Sequence, residues 1–340
     1  MKIHTPSYGD AFVCAAGTCA DTCCNAWEVV VDDETRARYE AMPGPLGKRV
    51  RAALRRDSDG DSYLAFSGRG CPMLTEDGLC SLQQAFGEEA LSRVCRRYPR
   101  FTCEFGALTE EGLSLSCPAA CRLILETPFS ITERITDAPP ALNDLDPGRF
   151  YAVLRGRALA FRIAGNRAFP VRQRAALLLS LGGELEKAFD APDAVLSAWP
   201  DESLPARLTA LLPQKAADFS TLTRCFQGME HLTARFPKLL PQLSYGPPAL
   251  DEASAERLLQ YFLYKYALQA ACDGKLLRKL EFCAASLLMC DRLCATDPAN
   301  PVGLITLYAR ETEHSEENLR RFARWASHTR SYLPALLLTV

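Results

Sequence analysis

Four cysteines crowd into eleven positions near the N-terminus, in the run Cys14-Ala-Ala-Gly-Thr-Cys19-Ala-Asp-Thr-Cys23-Cys24. Gly17 and the turn-prone Asp21, Thr22 and Asn25 interrupt them, and Trp27 closes the stretch. Neither a helical stripe nor a strand alternation fits this spacing. It describes a loop folded around something. Two thiolates separated by a few residues can reach one metal, because a tight turn brings their sulfurs together. Neighbouring side chains point apart, so Cys23 and Cys24 either bind different atoms of a centre or only one of them binds. The plain alternative is small buried cysteines packed beside Trp27.

How the other thiols are read depends on compartment. The start, MKIHTPSYGDAFVCAAG, lacks the apolar core of a secretory signal. No run of about 18 apolar residues occurs, so no membrane span is expected. The net charge of −2 argues against a nucleic-acid binder. A cytoplasmic protein is expected, and there the 15 cysteines stay reduced and clustered ones are metal ligands more often than disulfides. Ten of them precede residue 122. A chain of 340 residues also exceeds one ordinary core, so more than one domain is expected.

After the opening loop, Glu28–Asp33 reads as a short strand or helix lead-in, and 34–57 as two helical stretches split by Pro43-Gly44-Pro45. In Cys71-Pro-Met-Leu-Thr-Glu-Asp-Gly78-Leu-Cys80, Thr75 to Gly78 forms a tight turn that brings two sulfurs together. Ser81 to Gln84 has the form of a capping box, which sets Cys80 at a helix N-terminus where a thiolate is favoured. Cys95 shares a helical face with Leu91, Val94 and Tyr98, and its place one helix after the knuckle makes it a ligand candidate. Phe101, Cys103 and Phe105 alternate as one arm of a hairpin turning at Glu111-Gly112, with Leu113 and Leu115 beyond. Cys117 then opens a helix with Ser116 as cap and Pro118 in the first turn; Cys103 and Cys121 are assigned to packing.

Residues 127–148, rich in Pro, Thr and Asp, read as a linker. Helical spacing follows over 149–164, 170–189, 203–212, 216–235, 251–272, 275–296 and 315–330. Within these, Cys283, Cys290 and Cys294 form a core stripe with Leu287, and Tyr261, Phe262, Tyr264 and Tyr266 an aromatic helix that is mostly core. Gly182-Gly183 sits inside a helical pattern and is a weak substitute for a nucleotide-binding loop.

In their order, CAAGTCADTCCNAW, CPMLTEDGLCSLQQAFGEEAL, CRRYPR and LSLSCPAACRLIL resemble the flagellin lysine-N-methylase (FliB-like) family over residues 14–125. Two positions depart from its pattern: Ala26 stands before Trp27 in place of Gly, and Cys121 where Ala is usual. The resemblance implies an enzyme that transfers methyl groups from S-adenosylmethionine to lysine side chains of flagellin and carries a 4Fe–4S cluster. The matched ligand candidates are Cys14, Cys19, Cys23, Cys24, Cys71, Cys80, Cys95 and Cys117. One cluster takes four thiolates at most, and Cys19, Cys23, Cys71, Cys80 and Cys95 rank first. Zinc is the alternative metal.

The expected fold is mainly α. A Cys-rich metal-binding N-terminal domain with short strands (1–127) is followed by a linker (128–148) and an all-helical domain (149–340), with strands confined to the part before residue 120. The expected partner is a protein substrate, flagellin, with no nucleic acid and no membrane. The competing reading is a non-enzymatic zinc- or iron-binding module with a partner-docking helical domain.

Overall fold

The computed structural model describes residues 1–340 apart from 20, 25–28, 59, 67–69, 214–217, 329–331 and 340. Trp27, and with it the Ala26 departure, lies outside the described residues. The strands are β1 (Lys2–Pro6), β2 (Val29–Val30), β3 (Leu54–Arg56), β4 (Ser62–Leu64), β5 (Arg100–Phe105), β6 (Leu108–Leu113) and β7 (Ile131–Ile135). The helices of the first part are α1 (Asp33–Ala41), α2 (Gly44–Ala53), α3 (Ser81–Phe86), α4 (Arg93–Arg97) and α5 (Pro118–Glu126). Then come α6 (Pro147–Ala164), α7 (Val171–Leu185), α8 (Pro192–Ser197), α9 (Leu204–Leu211), α10 (Ser220–Gln227) and α11 (Phe236–Leu239). The chain closes with α12 (Glu252–Tyr266), α13 (Ala270–Asp273), α14 (Leu276–Thr296), α15 (Pro301–Glu313), α16 (Glu316–His328) and α17 (Tyr332–Leu338). The fold is mainly helical with a few short strands.

Two apolar cores result. The smaller joins Val29, Val31, Tyr39, Val50, Leu64, Met73, Leu82 and Leu91, with Cys71 among them. It is covered by a three-stranded sheet in the order β2-β4-β3. The larger core takes Tyr8, Phe12, Phe105 and α5 together with the helices from α6 onward, so it draws on both sides of residue 127. Its sheet has the order β5-β6-β1-β7, with β1 parallel to β6 and antiparallel to β7.

Several local expectations are corrected. A strand, β7, lies after residue 120, because its backbone completes the edge of β1 from Lys2 to Pro6. The hairpin is real, but it turns at Gly106, whose φ of 61° demands glycine. Gly112 instead sits inside β6 under the Phe101 ring, where a Cβ would come within 2.5 Å of the ring edge. Ser81 does not cap α3; Cys80 holds that place, and the Ser81 hydroxyl donates to Met73 O at 2.7 Å. Cys117 likewise takes the cap position expected of Ser116. Gly182 belongs to the crossing of α7 and α14, with Leu280 Cδ1 at 2.6 Å from where a Cβ would sit, rather than to a phosphate loop. Helix α15 has no counterpart among the expected helices.

The aromatic helix α12 fastens the larger sheet. The Tyr264 hydroxyl lies 2.9 Å from both His4 O on β1 and Glu111 O on β6. From α6, the buried Arg157 meets the buried Glu110 of β6 through both guanidinium nitrogens, and His4 stands between Glu110 and Glu133. No described helix is long and apolar enough to cross a membrane.

Candidate metal centre and its polar seam

The thiols come from four segments, each shaped by local hydrogen bonds. In the opening loop a single 3-10 turn spans Ala16–Thr18, and the Thr18 hydroxyl donates to Ala15 O at 2.8 Å. Thr22 Oγ1 accepts the Cys24 N–H at 3.2 Å, and the Cys71 N–H donates to Cys24 O at 2.8 Å, which docks the loop on the knuckle. Within the knuckle the Thr75 N–H reaches Leu79 O and Thr75 Oγ1 accepts from the Leu79 N–H, with Gly78 at φ 75° completing the turn. Cys95 is set by α4, whose cap Ser92 accepts the Cys95 N–H at 3.3 Å. That helix is held in turn by Asp32, which accepts N–H bonds from Thr35 and Arg93. Burial works against the Asp32 carboxylate, but those donors outweigh it and hold its pKa down at about 2.

Cys24 lies within electrostatic reach of both Cys23 and Cys71. The neighbouring Cys24 thiol raises the Cys23 pKa, and the same neighbour lowers that of Cys71 against the opposing effect of its burial. Cys80 and Cys95 lie within electrostatic reach of Cys71, and Tyr39, almost fully buried, walls the same group. Cys117 lies within electrostatic reach of Cys19 and Cys23, its thiol pKa raised by burial. Cys14 is exposed, its sulfur accepting the Ala16 N–H at 3.4 Å. Cys121, Cys283, Cys290 and Cys294 are buried in the larger core, and all 15 cysteines are free.

Among the described residues no three His, Cys, Asp or Glu side chains stand in an arrangement ready to hold a metal ion. The candidate donors are nonetheless all thiols, the kind of ligand that zinc and iron–sulfur clusters take.

Sequence reasoning passed over the residues behind this group. They form a polar seam between the thiols and the helices, supplied largely by α15. Arg310 Nη1 pairs with Asp21 Oδ2 at 2.7 Å, Nη2 donates to Thr22 O at 3.1 Å, and Nε donates to Ser116 O at 3.2 Å. Glu313 accepts from Lys265 Nζ at 2.6 Å, the Tyr261 hydroxyl at 2.7 Å and the Ser114 hydroxyl at 2.6 Å. The Ser116 hydroxyl lies 2.7 Å from Ser114 Oγ, 2.8 Å from His314 Nε2 and 3.1 Å from the Tyr98 hydroxyl. Burial pushes the His314 pKa down to about 4; Glu313 opposes this in part, and Lys265 and Arg310 add to the burial effect. The signal that could have found α15 is Asn300-Pro301, an N-cap and first-turn pair: Asn300 Oδ1 accepts the Gly303 N–H.

Comparison with known proteins gives three relatives over the same length of 134 residues, 38% of this chain, each at 30% identity. The flagellar biosynthetic protein FliU of Salmonella muenchen is matched over 79% of its own length. Two proteins named lysine-N-methylase, from Salmonella typhimurium and Salmonella choleraesuis, are matched over 33% of theirs. The chain thus spans about a third of the lysine-N-methylases it matches. No family model and no solved structure matches.

Proposed function

The chain belongs to the family of the flagellar biosynthetic protein FliU, and from that premise we propose that it takes part in S-adenosylmethionine-dependent N-methylation of lysine side chains on a protein substrate, flagellin. The observation that carries the reading is the docking of the cysteine-bearing opening loop on the cysteine knuckle, where the Cys71 N–H donates to Cys24 O at 2.8 Å, in a chain whose relatives include proteins named lysine-N-methylase. Four of the thiols of Cys14, Cys19, Cys23, Cys24, Cys71, Cys80, Cys95 and Cys117 would hold a 4Fe–4S cluster or, in its place, zinc. Bound there, the metal would staple loops that bury little apolar surface. The protein works in the cytosol, where these thiols stay reduced, without nucleic acid or membrane.

Methylating lysine requires the neutral amine, and a free lysine titrates at about 10.4. The protein's part is therefore to desolvate the amine and hold it in line with the sulfonium carbon. An amine so placed displaces the sulfur directly. Glu313 is already taken up by Lys265, Tyr261 and Ser114, so its role here is to brace the seam rather than to accept a proton from substrate.

A second reading, a non-enzymatic metal-binding module that docks a partner through its helices, is favoured by one observation: the match covers only a third of the lysine-N-methylases. Anaerobically purified protein, incubated with flagellin and methyl-labelled S-adenosylmethionine, distinguishes them. Label on flagellin lysines, with binding of S-adenosylmethionine seen by calorimetry, is the expected result. Metal-loaded protein that neither binds S-adenosylmethionine nor labels flagellin would overturn the enzyme reading in favour of the module.

A further inference from the structure

We infer that Arg310 is the positioning residue through which the helical part of the chain orders the cysteine loop and sets Cys23, Cys24 and Cys117 against one another, an inference that rests on the thiol-centre reading above. Arg310 lies on α15, 289 residues from Asp21, and it is 5% exposed. Its fork spends one nitrogen on each of three residues in two stretches of chain. Asp21 and Thr22 immediately precede Cys23, and Ser116 immediately precedes Cys117. Thr22, held by its carbonyl, in turn accepts the Cys24 N–H through its hydroxyl.

The loop has little else to order it. Among the described residues from Cys14 to Cys24, only the partly buried Cys24 joins an apolar core, and Asp21 is half exposed. A planar guanidinium with donors in fixed directions can hold two backbone carbonyls and a carboxylate at once, which an ammonium cannot. A residue serving only the helical core would have no reason to end on the loop. Here every bond the side chain makes ends beside a candidate ligand.

The test uses the full chain, stripped of metal by a chelator under reducing conditions, and follows iodoacetamide alkylation of each cysteine by mass spectrometry. Arg310→Lys keeps the charge beside Cys23 and loses the fork. Asp21→Asn leaves the helices untouched, so it reads out even where the first variant folds poorly. Cys23, Cys24 and Cys117 are expected to react about tenfold to a hundredfold faster in Arg310→Lys, and less so in Asp21→Asn, the range set by losing charge-assisted hydrogen bonds. Cys283, Cys290 and Cys294 should react as in the wild type. Unchanged rates at Cys23, Cys24 and Cys117 in both variants would overturn the inference, as would equal acceleration at Cys290, which marks a merely structural role. Reconstitution with iron or zinc separates the premise. Wild-type protein that takes up neither metal while the rate differences persist would remove the metal reading and leave the positioning role standing.

Discussion

The two cores are built on different principles. The larger is a stack of helices in which Phe262, Leu258, Leu287, Tyr308 and Phe226 bury their whole side chains against one another. The smaller has two- and three-residue strands, helices of five to ten residues, and turns closed by single hydrogen bonds. Ordering a residue costs on the order of 1–2 kcal/mol of backbone entropy, and side-chain burial offsets this easily in the first region and poorly in the second. Cysteine-held metal can supply on the order of 10 kcal/mol. The comparison teaches that the same residue type does two jobs: Cys290 is packing, whereas Cys71 is a junction.

The largest expected effect follows from exchanging those two. Cys71→Ser and Cys80→Ser should make the chain between residues 14 and 95 sensitive to limited proteolysis while the helices from α6 onward resist. Cys290→Ser should bury an unpaired hydroxyl, cost about 1–3 kcal/mol, and leave that proteolysis pattern unchanged. Protease-resistant Cys71→Ser and Cys80→Ser proteins would erase the distinction. Next in size, Phe262→Ala removes a fully buried ring from the larger core and should cost about 3–5 kcal/mol. Urea titration followed by helical circular dichroism measures it. The alkylation rates of Cys23, Cys24 and Cys71 below the transition should stay as in the wild type, and a rise there would show that the cores unfold as one.

The smallest effect sharpens the comparison through two histidines of opposite sign. His4 in the larger sheet has its pKa raised above 6.5, chiefly by the Glu110 carboxylate 3.6 Å from its Nδ1, with Glu133 assisting and burial and Arg157 opposing. Its contribution is fully present below 6.5 and is lost as the pH rises through the raised value. His314 at the seam is depressed to about 4, so its contribution is present above 6.5 and is lost as the pH falls toward 4. Urea midpoints across this range should therefore show His4→Gln flattening the alkaline limb and His314→Gln the acid limb. Identical profiles for wild type and both variants would remove these assignments.

The sequence revealed the larger region's helices where apolar residues repeat regularly, as in α12 and α14, and the knuckle where Thr75 and Gly78 dictate a turn. It concealed α15 because that helix buries polar and apolar residues together: Thr306, Arg310, Glu311 and Thr312 are nearly inaccessible beside Leu304, Ile305, Leu307, Tyr308 and Ala309. An apolar stripe does not stand out on a helix buried on almost every side. Glu311 accepts the N–H groups of Leu232 and Thr233, and Arg310 reaches the cysteine loop. The turns that carry the thiols were legible from spacing and turn residues. The seam behind them was not, since Ser114, Ser116, Lys265 and Glu313 meet only when separate elements pack, and Ser116 and Ser81 imitate helix caps in sequence while bonding elsewhere in the fold.

The central claim is that the small core is completed by a metal held on its thiols. The direct measurement is metal analysis, with an absorption spectrum, of anaerobically purified wild-type, Cys71→Ser and Cys290→Ser proteins. The account predicts stoichiometric iron with a thiolate–iron band near about 400 nm, or stoichiometric zinc without it, in the wild type and Cys290→Ser and its loss in Cys71→Ser. Wild-type protein that is folded, protease-resistant between residues 14 and 95, and free of both metals after reconstitution would contradict it.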